Sequence, residues 1–412
     1  MQASDDKNMR AKKSSRKAAK TKREAAHGAD PPPQAAVGSH APGRLSRRRR
    51  LLFLSIPYLL FALLLLVVEA GTRLLLPHVS LLEALVQSQK QQSDFVDRSS
   101  VSIFEGDPLL FWRLKPNLSH VVWDFTVVST NAQGIRHDGD IGRKTPGAIR
   151  IVCLGDSVTF GYRVPVAWPE RPEDYAPDWL PYPMLLEQRL RAANPGRQIE
   201  VIALAVPGYT SYQGLAWLRR DIESLQPDIV TACFGWNDIG LRAQPDSAVM
   251  PLDWIHVTSR RLLSVSQALT HLTQWLQRRA QARSNTPAQM ATIPRVPQAE
   301  YVQNLLEIAR LGQRQGSAVV IIAPVYRDAV TNPPEADRIK AYRDQLRDVT
   351  QQAGISYLEI EELTETSHPA TIKLFGELIH PNHEGHRLMA TALLKHFAAH
   401  HMLTGLTIPQ SL

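Results

Sequence analysis

Between residues 149 and 400 the chain alternates short, wholly apolar runs with longer stretches of helical periodicity, and few folds accept that pattern. Ile149 to Leu154 (IRIVCL), Ile199 to Val206, Asp228 to Phe234 (DIVTACF), Ala318 to Ala323 (AVVIIA) and Ile355 to Leu358 read as strands. Met184 to Ala193, Ser211 to Leu225, Tyr301 to Gln315, Ala336 to Ala353 and Glu384 to His400 read as helices. A strand that is apolar on both faces must be covered on both, which calls for a parallel sheet flanked by helices. The expected class is therefore α/β, a three-layer α/β/α sandwich with a mainly parallel sheet. Two stretches break the alternation. Val164 to Pro181 is rich in proline, acids and aromatics, with Trp168, Tyr175 and Trp179. Leu241 to Pro297 is a long insertion with a basic helix expected over Leu262 to Arg283. Loops of this length in compact domains are usually functional or disordered, so each is a candidate lid or substrate wall.

The front of the chain is different. Leu51 to Val68 (LLFLSIPYLLFALLLLVV) carries no charge over 18 residues, about the minimum for a bilayer-spanning helix. Arg47, Arg48, Arg49 and Arg50 stand directly before it. Positive flanks stay cytoplasmic, so the N-terminus is expected inside and the rest of the chain outside, in the periplasm of a cell with an inner membrane. A cleaved signal peptide is the rival reading, with Val68-Glu69-Ala70 as its cleavage site. The long basic region and the length of the apolar run favour a retained anchor.

Charge follows the same division. Residues 1–50 hold 14 Lys and Arg against 4 Asp and Glu, and the other 362 residues hold 33 against 35. The net charge of +8 thus belongs to the tail, and nucleic-acid binding is not expected. Four segments result: a disordered basic cytoplasmic tail (1–50), a single transmembrane helix (51–70), a juxtamembrane lead-in with short strands around WRLKPN, HVVWDFTVVSTN and TNAQGIR (71–147), and the α/β domain (148–412). Cys153 and Cys233, the two cysteines, sit inside strands and read as small buried side chains rather than a disulfide.

Open parallel sheets place their ligand sites at the carboxyl ends of the strands. After IRIVCL comes Gly155-Asp156-Ser157, after IEVIALAV comes Pro207-Gly208-Tyr209, and after DIVTACF comes Gly235-Trp236-Asn237-Asp238. All three turns emerge on one edge. A fourth element, Glu377-Leu378-Ile379-His380-Pro381-Asn382, precedes the last helix and returns to that edge. Acyl transfer needs a nucleophile, a base, a carboxylate that orients the base, and donors aimed at the developing oxyanion. Ser157, at a strand–glycine position that exposes a hydroxyl, supplies the first. His380 is the base and Glu377 the orienting acid. The backbone N–H groups of Ser157 and Gly208 and the side-chain amide of Asn237 are the donors. Taken singly, Ser157 reads as a helix N-cap, Asn237-Asp238 as a turn and His380 as a surface histidine. A metal site built from His380, His383 and His386 lacks supporting cysteines or carboxylates, and no cofactor or metal is expected.

The order GDS, a lone glycine turn, GxND, and a carboxylate three residues before a histidine resembles the SGNH/GDSL hydrolase family over about residues 148 to 402. The resemblance implies a flavodoxin-like sheet, Ser157 as nucleophile, Gly208 and Asn237 as oxyanion donors and His380 as base. The lead-in is similar to that of membrane-anchored bacterial members. Two positions depart from the family pattern. Glu377 stands where aspartate is usual, and Ala203-Leu204-Ala205 precedes Gly208 where many members have an Asn and a Gly, which removes polar support from that turn. The function implied is a serine esterase or acylhydrolase acting on carboxylic esters of lipids or acylated carbohydrates. The alternatives are an O-acyltransferase acting on an exported polysaccharide and a non-catalytic binding protein on a hydrolase scaffold.

Overall fold

The computed structural model describes residues 47–87, 102–168, 170–283, 292–325, 333–364, 371–377 and 379–409. Most of the basic tail therefore lies outside the described residues, as does the polar stretch 88–101. The chain divides into two compact units, residues 1–62 and 63–412. Helix α1 (Arg47–Leu75) begins in the first and ends in the second. From Phe53 to Leu75 it is long and apolar enough to cross a membrane, and its apolar side chains are exposed.

In the second unit, α2 (Leu81–Gln87) precedes two small antiparallel ribbons. One pairs β1 (Phe104–Asp107) with β2 (Phe111–Leu114), the other β3 (Val121–Trp123) with β4 (Thr126–Val128). These ribbons are not a loose linker. Phe104, Leu114, Trp123 and Val128 share a core cluster with Val152 and Leu154 of the first central strand. Arg136, from the TNAQGIR turn, is buried, and its guanidinium donates to the carbonyls of Val127, Phe160, Gly161 and Val164. It thereby ties the lead-in to the backbone just after Ser157. Burial lowers its pKa to about 10.

The central sheet begins with β5 (Ile149–Gly155), followed by the one-turn helix α3 (Ser157–Phe160), α4 (Tyr182–Ala193), β6 (Ile199–Ala205), α5 (Ser211–Leu225), β7 (Ile229–Cys233) and the short α6 (Trp236–Ile239). The insertion follows. Its ends pair as β8 (Leu241–Arg242) and β9 (Ile293–Pro294), and between them lie α7 (Asp246–Val249), α8 (Trp254–Val265) and α9 (Gln267–Arg283). The single basic helix expected over 262–283 is thus two helices that change at Ser266. The Ser266 hydroxyl accepts the N–H of Leu269, and the Glu69 carboxylate accepts those of Gln267 and Ala268, so the first-turn donors of a new helix are satisfied there.

The sheet then resumes with α10 (Gln298–Arg314), β10 (Ala318–Ile322), α11 (Pro333–Gln352) and β11 (Ser356–Leu358), and the chain closes through α12 (Glu361–Thr364), α13 (Thr371–Leu374) and α14 (His383–Ala399). The five strands lie in the order β11-β10-β7-β5-β6, all parallel. Alternate residues feed opposite faces. Val152, Leu154, Val230 and Ala232 pack toward the core that holds residues of α5, α10 and α11. Ile151, Cys153, Ile229 and Cys233 pack toward α4 and α14. This is the three-layer α/β/α sandwich, with a flavodoxin-like strand order. The direction of the strand order reverses at β5, which lies between β6 and β7, and the crevice outside that point is where such sheets bind ligands.

Candidate active site

The carboxyl ends of β5, β6 and β7 bring the three motif turns together. Gly155 ends β5 at a place where a Cβ would lie 1.9 Å from Thr159 Oγ1, so only glycine lets α3 start directly on the strand. Asp156 caps that helix, accepting the N–H of Val158 at 2.9 Å. Ser157 is therefore the first residue of α3. Its Oγ lies 2.7 Å from His380 Nε2. The hydroxyl is not the exposed one expected from the strand–glycine position. Ser157 is only 4% accessible, because the His380 ring sits on it and a Tyr162 ring packs against that imidazole at 4.3 Å between centroids.

Glu377 and His380 share one loop. The Glu377 carboxylate bonds to His380 Nδ1 and also accepts the backbone N–H of His380 at 3.1 Å. Gly376 N–H donates to His380 carbonyl, and Asn382 N–H donates to Leu374 carbonyl, so the loop closes on itself. Asn382 then caps α14 by accepting the N–H groups of Glu384 and Gly385. The structure thus brings Ser157, His380 and Glu377 into one hydrogen-bonded line. The three neighbouring histidines go separate ways. His383 stacks on Trp179 at 3.9 Å, while His386 is buried with Nδ1 accepting the N–H of Tyr182. Burial holds His386 neutral, with its pKa lowered to about 3.

Gly208 turns with φ of 84°, a conformation that favours glycine. The N–H groups of Ser157 and Gly208 have no protein acceptor among the described residues. The Asn237 amide reaches the same crevice, where Nδ2 donates to Asp156 Oδ2 at 3.2 Å and to the Tyr209 carbonyl at 3.0 Å. The apolar Ala203-Leu204-Ala205 leaves the Gly208 turn without local polar support, but support comes from elsewhere. Arg295 Nη1 donates to the Gly208 carbonyl at 2.8 Å, and Trp112 Nε1 donates to the Pro207 carbonyl at 3.2 Å. Arg295 is held in turn by buried Asp246, through Nε at 3.1 Å and Nη2 at 2.8 Å. Asp246 also accepts the hydroxyl of Thr210, the residue before α5. Sequence reasoning missed Arg295, Asp246 and Trp112. They lie in the insertion and the lead-in, and no local pattern marks them.

Two further carboxylates sit behind the site. Burial raises the pKa of Asp156 to about 6 and that of Asp238 to about 7, although hydrogen bonds to each oppose the shift. Asp238 Oδ1 accepts both the N–H and the hydroxyl of Ser211, fixing the start of α5 against the Asn237 turn.

Beside His380 opens a cavity of about 270 Å³. Phe125, Tyr162, Arg163, Trp168 and Trp179 line it together with Glu377 and His383. Two of the three aromatics singled out in the proline-rich stretch, Trp168 and Trp179, thus face the site. The Arg163 guanidinium lies over the rings of both Phe125 and Tyr162. The Tyr162 hydroxyl donates to Asp124, and burial together with that carboxylate pushes its pKa well up.

A solved lipase/acylhydrolase from Enterococcus faecalis is similar at 20% identity, covering 64% of this chain and 100% of that one, with a TM-score of 0.40. The acetylxylan esterase Axe2 from Geobacillus stearothermophilus is similar at 15% identity, 61% and 96% coverage and a TM-score of 0.37. LAE5, described as an alpha/beta hydrolase enzyme from the metagenome of Lake Arreo, Spain, is similar at 19% identity, 61% and 96% coverage and a TM-score of 0.40. No curated protein matches the sequence. Residues 153–388, more than half of the chain, match the model of the GDSL-like Lipase/Acylhydrolase family, and the protein belongs to that family of ester-bond hydrolases.

Proposed function

We propose that this protein is a membrane-anchored serine esterase in which Ser157, His380 and Glu377 form the catalytic triad. The observation that carries the reading is the line from Ser157 Oγ to His380 Nε2, and from His380 Nδ1 to the Glu377 carboxylate. In this mechanism Ser157 Oγ attacks the ester carbonyl and passes its proton to Nε2. The imidazolium that results is stabilised by Glu377 through Nδ1–H. The carbonyl oxygen, now carrying the negative charge, takes up the N–H groups of Ser157 and Gly208 and an amide hydrogen of Asn237. Collapse expels the alcohol, which receives the proton from His380, and leaves an acyl-Ser157 ester. Water, deprotonated by His380, then releases the acid and restores the serine.

The aromatic cavity beside His380 supports binding of one side of the ester there, as the acyl chain of a lipid or the ring of an acylated carbohydrate. The uncharged stretch of α1 and the four arginines before it support a retained anchor, with the N-terminus cytoplasmic and the catalytic domain outside the inner membrane.

A fluorophosphonate probe tests the triad. Labelling of the native enzyme and its loss in Ser157→Ala is the expected result, together with loss of ester hydrolysis in a protein that still folds. A Ser157→Ala enzyme that keeps most of its activity would sink the assignment. An ester panel run with and without a polysaccharide acceptor separates hydrolysis from acyl transfer. Protease added to intact spheroplasts should digest the domain and spare an N-terminal tag; the reverse pattern contradicts the orientation.

A further inference from the structure

Helices α8 and α9 are built inside out. A helix on a water-soluble surface buries its apolar face and exposes its polar one. Here Arg260, Gln267, Thr270 and Gln274 face inward and are buried, while among the described residues Val257 is the one apolar residue buried with them. Outward point Ile255, Leu262 and Val265 on α8 and Leu269, Leu272 and Leu276 on α9, between 39% and 65% exposed.

The inward polar groups are accommodated. Arg260 donates from Nε to the Pro108 carbonyl and from Nη2 to the Pro251 carbonyl at 2.8 Å. The Gln267 side chain both accepts from Val79 N–H at 2.9 Å and donates to Val79 carbonyl at 3.0 Å. Thr270 bonds back to the Leu263 and Ser266 carbonyls. The fold therefore requires this face inside, and the leucines are left outward.

What the outward face meets follows from where the pair is fastened. Its junction is bound to the last turns of α1, in the part of that helix from Leu63 onward that belongs to the same compact unit. The Glu69 carboxylate accepts the Ser266 hydroxyl at 2.8 Å and the N–H groups of Gln267 and Ala268 at 2.9 and 3.1 Å. Arg73 Nη2 donates to the Val265 carbonyl, the end of α8, at 2.7 Å. His271 and the Pro77 carbonyl make a further contact at 3.1 Å. The apolar face is thus held level with the end of the apolar helix.

Its other residues suit the same depth. Trp254 and Trp275 are 76% and 52% exposed, and tryptophan concentrates where acyl chains meet headgroups. Arg261, Arg278 and Arg279 are exposed among them, the guanidinium of Arg279 lying over the Trp275 ring. Helix α9 contains no acidic residue. Leucine and tryptophan on one side with arginine beside them is the composition of a helix that lies in a bilayer surface and favours anionic lipid.

We propose that α8 and α9 form an interfacial helix pair that rests in the headgroup–acyl boundary of the membrane entered by α1, with anionic phospholipid as its partner. This rests on the reading of α1 as a retained anchor. The pair would give the enzyme a second point of attachment. It is also connected to the active-site edge. Arg260 binds Pro108, in the turn between β1 and β2, and Trp112 of β2 donates to the Pro207 carbonyl beside the Gly208 turn.

The test uses the full chain reconstituted in vesicles of phosphatidylcholine and phosphatidylglycerol. Cys153 and Cys233 are buried, so an added surface cysteine can be labelled selectively with an environment-sensitive fluorophore. Three variants are compared, Leu60→Cys in the anchor, Leu272→Cys on the outward face of α9 and Arg310→Cys on the exposed side of α10. Brominated lipid should quench the labels at 60 and 272 and leave that at 310 bright. Quenching at 60 alone would overturn the interfacial pair while leaving the anchor intact. Quenching at neither 60 nor 272 would overturn both. A label at 272 that is shielded from lipid but cross-links between copies would assign the face to self-association and overturn the proposal. The Leu272→Glu, Leu276→Glu double variant should retain hydrolysis of a soluble ester, which shows that the catalytic domain is folded.

Discussion

Arg295 donates a hydrogen bond to the carbonyl of Gly208, 87 positions earlier in the chain, and so fixes from the insertion a turn that the local sequence leaves unsupported. Its partner Asp246 is fully buried. Arg295→Met should therefore strand a buried carboxylate and destabilise the protein by about 3–5 kcal/mol. Arg295→Lys keeps the charge but loses the fork that reaches Asp246 and Gly208 together. That variant should fold, with kcat lowered roughly tenfold or more and KM moved much less, since a loosened oxyanion turn costs mainly transition-state binding. A pure KM effect would assign Arg295 to substrate binding instead.

Asn237 has both amide hydrogens engaged, one with Asp156 and one with the Tyr209 carbonyl. To bind an oxyanion it must share or surrender one of them. Asn237→Ala should lower kcat by roughly 10²–10³-fold, the usual loss of one such donor, with a small change in KM. Steady-state kinetics on a soluble ester reads both parameters.

Glu377 contacts both Nδ1 and the backbone N–H of His380. Glu377→Gln keeps the shape and removes the charge, and kcat should fall by on the order of 10³–10⁴-fold, as for triad acids elsewhere. Glu377→Asp is one methylene shorter. On a loop closed as tightly as this one, the shorter carboxylate cannot hold both contacts, and activity should lie between those of Gln and the native enzyme. A fully active Glu377→Gln enzyme would remove the acid role from this residue.

The buried acids set a pH dependence of stability. Asp238 titrates near pH 7 when folded against an ordinary value of 3.8, and Asp156 near 6. In both, the folded pKa is raised, so the unfolded chain ionises first. Stability is therefore lost as pH climbs from about 4 to about 7 and is level above that, as far as these two groups decide it. Asp238→Asn has no charge to bury. Its stability relative to the native enzyme should rise across that window by on the order of 3 kcal/mol, whatever offset the amide introduces at pH 4. Denaturant melts at pH 4.5 and 7.5 give the difference; a constant offset would show that Asp238 does not titrate there.

The parts of the fold that were legible in the sequence are those written in short-range pattern. Strand runs such as IRIVCL and AVVIIA lie within a residue or two of the observed strands, since apolar continuity encodes burial on both faces. The gathering of Ser157, Gly208, Asn237, Glu377 and His380 on one edge was legible because each follows a strand or precedes a helix there. What escaped depends on distant partners. The break at Ser266 needs Glu69, 197 positions away in the chain, to satisfy the new helix start. The burial of Ser157 comes from His380, 223 positions on. Arg136 and Arg295 act on carbonyl groups, which carry no sequence signal at all.

The loop that carries Glu377 and His380 is bonded to itself through Gly376, Leu374 and Asn382. Glu377 and His380 are therefore bonded to one another within one loop, and the alignment of three groups reduces to the alignment of that loop with α3. A perturbation that shifts the loop away from α3 should lengthen only the Ser157–His380 contact. The downfield Nδ1 proton of His380 would then persist in its NMR spectrum while the serine loses its reactivity. Such an enzyme would hold a well-oriented imidazole that has lost nothing except its nucleophile.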